Sequence, residues 1–190
     1  SGLADETIVV AWSDHGYHLG EKEITGKNTL WDPSTRVPLM FAGPGIAEGA
    51  RCERPVELLD LYPTLAELCQ LESAPEELEG LSLVPQLRNA NAPRDRYAFT
   101  SHGPGNDAVR TETHRYIRYA DGSEELYDLR NDPEEFTNLA SNTETEALKE
   151  KLGALLPENP AKPAQGSHAR LIERKAVSYT HLTLPTNSGV

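Results

Sequence analysis

The fold is decided by Thr7–Pro38, which reads TIVVAWSDHGYHLGEKEITGKNTLWDPSTRVP. The apolar, β-branched start of this stretch, Ile8–Trp12, predicts a buried strand that ends at Ser13-Asp14-His15-Gly16. An open α/β sheet binds its ligands at the carboxyl ends of such strands. Gly16 leaves the backbone free to turn at that point. We therefore expect the functional corner of the protein at this adjacent acid and imidazole.

The charge balance restricts the partners of the protein. The chain has 190 residues, of which 30 are acidic and 18 are Lys or Arg, so its net charge is −12. Contacts to phosphates need clustered Lys and Arg, which argues against nucleic acid and an anionic membrane surface. No apolar run approaches the roughly 20 residues of a membrane-spanning helix. The first residues lack the order of a signal peptide, so the sequence itself encodes no localisation.

The two cysteines, Cys52 and Cys69, are too few for a disulfide framework or for a paired thiolate metal site. A single disulfide between them stays open. Cys69 lies in an apolar helical pattern, which favours a buried and inert thiol there.

The first half of the chain surrounds the corner with further elements. The polar leader, residues 1–6, is too short to supply the neighbours of a buried strand, so we expect the chain to begin partway through a larger protein. Residues 16–35 form a long polar loop, and long irregular loops tend to be functional. Pro38–Ala42 predicts a second core strand, and the i, i+3, i+4 spacing over Leu58–Leu71 predicts an amphipathic helix. Glu72–Gly80 is an acidic surface segment.

The second half of the chain predicts a small antiparallel sheet. Asp121-Gly122 is a hairpin turn signal between two alternating runs. Four strands are predicted, at Tyr97–Thr100, Ala108–Thr111, Arg115–Tyr119 and Glu125–Leu129. A final helix is predicted over Glu144–Leu156. Asp132–Glu135 fits either solvated surface or the acidic first turn of a helix.

These elements predict an α/β protein in three segments. Residues 1–92 form part of a mixed sheet with its helix, and residues 93–157 form the antiparallel sheet with the C-terminal helix. The linker composition of Asn89–Asp95 places the boundary between them. Residues 158–190 are expected to be a disordered tail. Within it, residues 178–190 (SYTHLTLPTNSGV) resemble translated sequencing-adapter read-through, and we expect them to be artefactual.

Asp14 and His15 are the candidate metal ligands. A carboxylate suits Ca²⁺ or Mg²⁺, whereas an imidazole nitrogen is more typical of transition metals. Neighbouring residues on a strand point to opposite faces, so both can meet one ion only where the strand breaks, at Gly16. The alternative is that Asp14 caps the following turn and His15 is a solvated loop residue.

Lys27 is the candidate anion-binding residue, because an ammonium group near a metal could neutralise an oxygen of bound sulfate or phosphate. The alternative is an ordinary exposed lysine. For Arg36 we favour a structural ion pair with Asp32 over a substrate contact. Three other side chains could reach a site, although isolated residues of this kind are usually polar loop residues: His18, Glu21 and His102.

Several ordered motifs strongly resemble one family. They are SDHG-x-x-LGE from Ser13, GKNTLW from Gly26, STRVPLMF-x-GPG from Ser34, VELLDLYPTLAELCQL from Val56, GLSLVPQL from Gly80 and RYIRYADGSEELYDLRNDPEEFTNLA from Arg115. Together they resemble the C-terminal half of the sulfatase catalytic domain in the alkaline phosphatase superfamily. The last motif is similar to the close of iduronate-2-sulfatase-like and choline-sulfatase-like enzymes. The resemblance covers about residues 3–160.

The resemblance implies a C-terminal fragment of an alkaline-phosphatase-like fold and hydrolysis of sulfate esters. Sulfatases use a formylglycine, made from a C/S-x-P-x-R motif, beside Ca²⁺. By position, Asp14 and His15 look like calcium ligands and Lys27 like the lysine that contacts sulfate. The motif is absent here, and so is the N-terminal aspartate pair that completes the calcium site. We therefore expect this chain alone to be inactive.

The resemblance also implies a sulfated small molecule or sulfated sugar as substrate, and a periplasmic or secreted location. Two other functions stay open. The first is a phosphonate or phosphodiester hydrolase of the same superfamily, which shares the Asp-His corner. The second is a non-catalytic metal- or anion-binding module, which would fold alone and hold a complete ion site.

Overall fold

The computed structural model describes residues 2–71 and 78–158. Most of the predicted acidic segment Glu72–Gly80 and the predicted tail, with its artefactual end, lie outside the described residues. In the described ranges no helix is long and apolar enough to cross a membrane.

A two-stranded ribbon begins the fold. Strand β1 (Val9–Trp12) pairs antiparallel with β4 (Leu39–Ala42), and Val9 lies opposite Ala42. Both predicted strands are confirmed. The predicted burial of the first strand is wrong for this chain, because Val9 is 58% exposed and Trp12 is 52% exposed. An apolar run predicts a strand, but it does not say which partner covers it.

The segment between the ribbon strands is more regular than predicted. It contains the hairpin of β2 (His18–Leu19) and β3 (Thr25–Gly26), and then the one-turn helix α1 (Asp32–Thr35). Pro33 fits the first turn of α1 because its missing amide hydrogen would lack a helical partner there. The prediction of a loop without regular structure over residues 16–35 is therefore wrong in part.

The predicted amphipathic helix is confirmed with a shorter extent. A 3₁₀ turn at Leu58–Asp60 leads into α2 (Leu61–Leu68), and α3 (Val84–Arg88) follows the undescribed gap. Cys69 is exposed, so its predicted burial is wrong: α2 ends at Leu68, and Cys69 leaves the helical face. Cys52 is also exposed, and both thiols are free.

The predicted antiparallel sheet is confirmed. Its four strands run in chain order, β5 (Ala98–Ser101), β6 (Asp107–Arg110), β7 (His114–Arg118) and β8 (Glu124–Asp128). The β7–β8 connection turns at Gly122, whose φ of +84° is readily adopted only by glycine.

Both faces of this sheet are covered. On one face, side chains of the sheet pack with helix α4 (Glu146–Gly153) and the residues after it; this cluster contains Val109, Tyr116, Leu126, Ala140, Leu152 and Leu156. On the other face, Leu30 from the α1 loop packs against Ala108, Ile117 and Tyr127. Successive residues of β7 thus enter opposite clusters, as strand geometry requires. The loop between the ribbon strands is part of the core of the C-terminal sheet.

The order of elements confirms the predicted α/β class, with a ribbon and helix followed by an antiparallel sheet and C-terminal helix. Asp132–Glu135 forms turns instead of a helix, and Glu135 is fully buried. Both expectations for this run, solvated surface and a helix start, are wrong for Glu135, because it pairs with a buried arginine. The division at residue 92 stays a prediction.

Candidate functional site

The Asp-His corner follows β1 directly and is held by short-range hydrogen bonds. The Ser13 hydroxyl donates to the carbonyl of His15 at 2.7 Å, and the Gly16 amide donates to the carbonyl of Ser34 at 2.8 Å. A Cβ placed on Gly16 would lie 2.0 Å from the carbonyl oxygen of Pro33. Only glycine therefore allows the corner to lie this close to α1.

The His15 ring turns its Nε2 atom toward the Asp14 side chain. Its Nδ1 lies 2.7 Å from the carbonyl oxygen of Gly16, so Nδ1 carries the proton in that hydrogen bond. Nε2 then keeps its lone pair, and it lies 3.7 Å from Oδ1 of Asp14. The Asp14 side chain is 82% exposed. The two adjacent side chains thus turn toward one place, as the strand break at Gly16 predicts.

Lys27 reaches the same place from the β2–β3 hairpin. Its Nζ lies 2.6 Å from Nε2 of His15, where the ammonium donates to the lone pair. The structure therefore brings together the three side chains that the sequence singled out: a carboxylate, an imidazole and an ammonium group. Their juxtaposition is the geometry expected for one wall of an oxyanion site.

This wall belongs to an open cleft of about 1580 Å³. The charged lining consists of six Lys or Arg side chains and three carboxylates, although the whole chain carries −12. The charged residues are Lys27, Arg36, Arg51, Arg54, Arg110, Arg115, Asp14, Glu53 and Glu57. Five of these cations pair with carboxylates in or beside the cleft: Arg36, Arg110 and Arg115 with Asp32, Arg51 with Glu53, and Arg54 with Glu112. The remaining cation, Lys27, contacts His15 and belongs to the wall itself. His102 also lines the cleft, as one of the residues that could reach a site.

The corner fits part of a coordination shell. A carboxylate oxygen and an imidazole nitrogen are both ligand atoms, and they converge at the end of β1. The Nε2 lone pair of His15 accepts from Lys27 here, so a metal ion at Nε2 would replace that hydrogen bond. Calcium takes six to eight ligands, which are oxygens in its preferred sites. Among the described residues, no group of three or more His, Cys, Asp or Glu side chains could hold a metal ion. The described residues would supply two ligands at this corner, of which Asp14 is the better match to calcium.

Other predicted candidates hold the loop and lie away from the wall. His18 is fully buried, contrary to the expectation of a polar loop residue, with Nε2 2.8 Å from Oγ1 of Thr29 and Nδ1 3.1 Å from the Glu21 carbonyl. The carboxylate of Glu21 accepts from the Leu19 amide at 2.6 Å. Hydrogen bonds from backbone amides, its own first, lower the pKa of Glu21. The predicted Arg36–Asp32 ion pair is confirmed at 3.5 Å.

The sequence reasoning missed two buried charged residues behind the wall, Arg115 and Glu135. Arg115 pairs with both Glu135 and Asp32. Burial raises the pKa of Glu135, and the guanidinium of Arg115 opposes that shift. The period of two in β7 gives a signal for Arg115, which shares a strand face with the buried Ile117. No local signal distinguishes Glu135 from the acids around it.

Comparison with known proteins identifies the family. Residues 20–162 match the family model described as N-sulphoglucosamine sulphohydrolase, C-terminal. A sulfatase of Formosa agariphila is 45% identical over 161 residues, which are 85% of this chain and 32% of that protein. The chain thus spans about a third of the length of this curated relative.

Solved structures show the same relationship. BT1596, a 2-O GAG sulfatase, superposes with a TM-score of 0.71 at 30% identity, over 82% of this chain and 36% of that one. The phosphonate monoester hydrolase of Agrobacterium radiobacter superposes with a TM-score of 0.68 at 29% identity, over 80% and 34%. The family match covers most of the chain, and the relatives resemble it in both sequence and fold. The protein therefore belongs to the sulfatases, in the family described as N-sulphoglucosamine sulphohydrolase, C-terminal.

Proposed function

We propose that this chain is the C-terminal part of an enzyme that hydrolyses sulfate esters, with Lys27 contacting the sulfate group. The observation that carries the proposal is the contact of the Lys27 ammonium with His15 Nε2 at 2.6 Å, beside Asp14 at the end of β1. A cation held there lies beside the two candidate metal ligands. Such an ammonium stabilises the negative charge that grows on the oxygens of a transferred sulfuryl group.

We further propose that Asp14 and His15 are ligands of Ca²⁺. The corner supplies one carboxylate oxygen and one imidazole nitrogen, whose lone pair would turn from the Lys27 ammonium to the metal. The remaining ligands would come from outside this chain. A bound divalent cation supplies Lewis acidity and positive charge at the sulfate oxygens. The formylglycine nucleophile would also come from outside the chain, because neither Cys52 nor Cys69 lies in the C/S-x-P-x-R motif. The chain alone is therefore expected to be inactive.

The substrate proposed is a sulfated small molecule or a sulfated sugar. The Lys27 ammonium at the cleft supports an anionic substrate, because a cation there attracts anions. The similar protein BT1596 is a 2-O GAG sulfatase. Two strands of uncovered apolar ribbon support the view that further sheet strands pack on β1 and β4 in the whole enzyme. A periplasmic or secreted location is proposed from the resemblance alone.

A chimera tests the role of Lys27. This chain replaces the aligned 161-residue segment of the Formosa agariphila sulfatase, and sulfate ester hydrolysis is measured. We expect an active chimera in which Lys27→Met lowers kcat/KM by about 10²–10³-fold. Lys151→Met, on the exposed face of α4, is the matched control and leaves the rate unchanged. Equal rates for the two variants would contradict the proposal.

A phosphonate monoester hydrolase is the second candidate, because one such enzyme superposes on this chain nearly as well as the GAG sulfatase. Sequencing upstream of residue 1 distinguishes the two. A C/S-x-P-x-R motif there together with a sulfatase-only substrate profile supports a sulfatase. Measured hydrolysis of a phosphonate monoester, with sulfate esters left intact, would favour the alternative.

A non-catalytic ion-binding module is the remaining alternative. It predicts tight, stoichiometric Ca²⁺ binding by the isolated chain, whereas two ligands predict weak binding. Calorimetric titration of the full 190-residue chain with Ca²⁺ separates these outcomes. Tight binding that Asp14→Asn abolishes would favour the module.

A further inference from the structure

A buried ionic cluster connects the C-terminal sheet to the loop that carries Lys27. The Arg115 side chain is 1% exposed and donates to Glu135, to Asp32 and, at 3.0 Å, to the carbonyl of Leu30. Glu135 is fully buried, and its second oxygen accepts from the Asp32 amide at 2.9 Å. Arg115 and Glu135 come from the C-terminal module, residues 93–157, and Asp32 comes from the α1 turn. Their charges pair with one another where Arg115 and Glu135 are buried and Asp32 is 13% exposed. We call Asp32, Arg115 and Glu135 the buried ionic cluster.

Hydrogen bonds continue from this cluster to the functional corner. The α1 turn that begins at Asp32 presents the Ser34 carbonyl, which accepts from the Gly16 amide at 2.8 Å. Gly16 adjoins His15. The close approach of Gly16 to Pro33 leaves no room for the corner to shift toward α1. The position of α1 therefore sets the position of the two candidate ligands.

A parallel route leads to Lys27. The Thr29 hydroxyl, two residues after Lys27, donates to the hydroxyl of Ser34 at 2.8 Å and lies 2.8 Å from Nε2 of the buried His18. Both ends of the site, the corner and the lysine, thus meet at Ser34 of α1. A displacement of α1 would move one relative to the other.

Lys22 adds a second connection on the same side. Its ammonium donates to the carbonyl of Glu135 and lies 4.8 Å from the ring centroids of Trp31 and Tyr127. The negative faces of the two rings attract the ammonium, and this attraction is stronger where water is excluded. The hairpin before Lys27 is therefore connected through Lys22 to Glu135 and to Tyr127 of β8. This connection is separate from the one through Thr29 and Ser34.

We propose that Glu135 and Arg115 are positioning residues, which fix Lys27 against the Asp14–His15 corner by holding α1 from the C-terminal sheet. This rests on the proposed function for its catalytic meaning. Arg115 is almost fully buried and Glu135 is fully buried, so both act through Asp32, Ser34 and Gly16. On this view the C-terminal module positions the residues of the sulfate site.

Glu135→Gln tests the proposal in the full chain. The amide nitrogen of Gln places a donor against Arg115 or against the Asp32 amide, while side-chain size is kept. We expect hydrogen exchange of the Gly16 amide to accelerate on the order of tenfold, with exchange in β7 and β8 unchanged. The ¹⁵N signal of the Lys27 ammonium, which reports its hydrogen bond to His15, should be lost in the same variant. The exposed Glu134→Gln is the matched control and should change neither signal.

Two further measurements test whether Glu135 and Arg115 position Lys27. Lys22→Met retains the aliphatic stem, and it should produce a smaller change of the same two signals. In the chimera, Glu135→Gln should lower kcat with little change of KM, because the lysine would be misplaced in the transition state. Exchange that accelerates equally in β7, β8 and Gly16 would show a merely structural role and overturn the proposal. An inactive chimera with the local change at Gly16 intact would overturn the proposed function and leave the positioning in place.

Discussion

The ribbon of β1 and β4 and the C-terminal sheet differ in what covers them. The C-terminal sheet, β5–β8, has α4 on one face and Leu30 with its loop on the other. In the ribbon, where β1 pairs with β4, the side chains of Val9, Trp12 and Met40 are more than half exposed. The candidate site lies at the end of the uncovered ribbon but is attached to the covered sheet. Stability and function are therefore expected to depend on different residues, and the buried ionic cluster is where they meet.

Removal of Arg115 should have the largest effect. Arg115→Met leaves Glu135 buried without its cation and leaves Asp32 with its pairs to Arg36 and Arg110. A broken buried pair costs about 3–5 kcal/mol. Urea unfolding of the full chain, followed by circular dichroism, measures the loss. Arg130→Met, an exposed arginine on the same module, is the control and should stay within about 0.5 kcal/mol. A loss below about 1 kcal/mol for Arg115→Met would mean that the cluster contributes little to holding the two regions together.

The contrast between covered and uncovered sheets can be measured with one pair of truncations. Leu126→Ala removes a fully buried side chain from the α4 face, and we expect a loss of about 3 kcal/mol in the free energy of unfolding. Met40→Ala, where the side chain is 60% exposed on the ribbon, should change it by no more than about 0.5 kcal/mol. Similar losses at both positions would break the comparison, because the ribbon would then be covered in solution.

Gly16→Ala tests the junction of ribbon and loop. The new methyl group would meet the Pro33 carbonyl, so α1 or the corner must shift, and overpacking of this kind costs about 1–3 kcal/mol. In the chimera we compare two free energies: the loss of transition-state stabilisation, calculated from kcat/KM, and the loss in the free energy of unfolding. The first should be the larger. Gly2→Ala, where nothing lies within 4 Å, is the matched control. A fully active Gly16→Ala chimera would show that the close contact is dispensable.

The smallest expected effect is a pH dependence inside the C-terminal sheet. The Tyr116 hydroxyl donates to Glu124, and this bond lowers the pKa of Glu124 below its usual 4.5, with Lys149 acting in the same direction. A lowered pKa stabilises the fold above pH 4.5, and this stabilisation disappears as the pH falls through the folded-state pKa. Glu124→Gln should therefore reduce the loss of stability between neutral and acidic pH.

Because Glu124 is partly exposed, that difference should stay below about 1 kcal/mol. Unfolding free energies measured by urea titration at neutral and acidic pH give the two slopes. Glu150→Gln, an exposed acid on α4, serves as control and should keep the slope of the unmodified chain. A steeper slope in Glu124→Gln would contradict the direction.

The parts of the fold that the sequence predicts are those written in local patterns. The strands, the Asp121-Gly122 turn and the two main helices follow from period and turn residues within a few positions. Asp14, His15 and Lys27 were singled out because a strand end, a glycine and a nearby ammonium group are also local features, and their role as a site stays a prediction. The three side chains do lie together.

The remaining features depend on partners far away in the chain. The Asp32 amide finds Glu135 across 103 positions, and no local pattern marks that acid as buried. The exposure of β1 depends on the elements that pack against it. The apolar residues of β1 predict a strand but do not identify those elements. Cys69 was misplaced because α2 ends at Leu68, one residue before it. Long-range pairing accounts for the burial of Glu135 and the exposure of β1, whereas the exposure of Cys69 follows from the end of α2.

The ribbon has a practical consequence. Within the described residues, β1 and β4 have only each other as neighbours, so each offers an open row of amide and carbonyl groups beside exposed apolar side chains. Such rows are templates for pairing with other extended chains. At high concentration we expect copies of the isolated chain to associate through these strand edges. Each solution measurement on the chain should therefore be repeated over a dilution series.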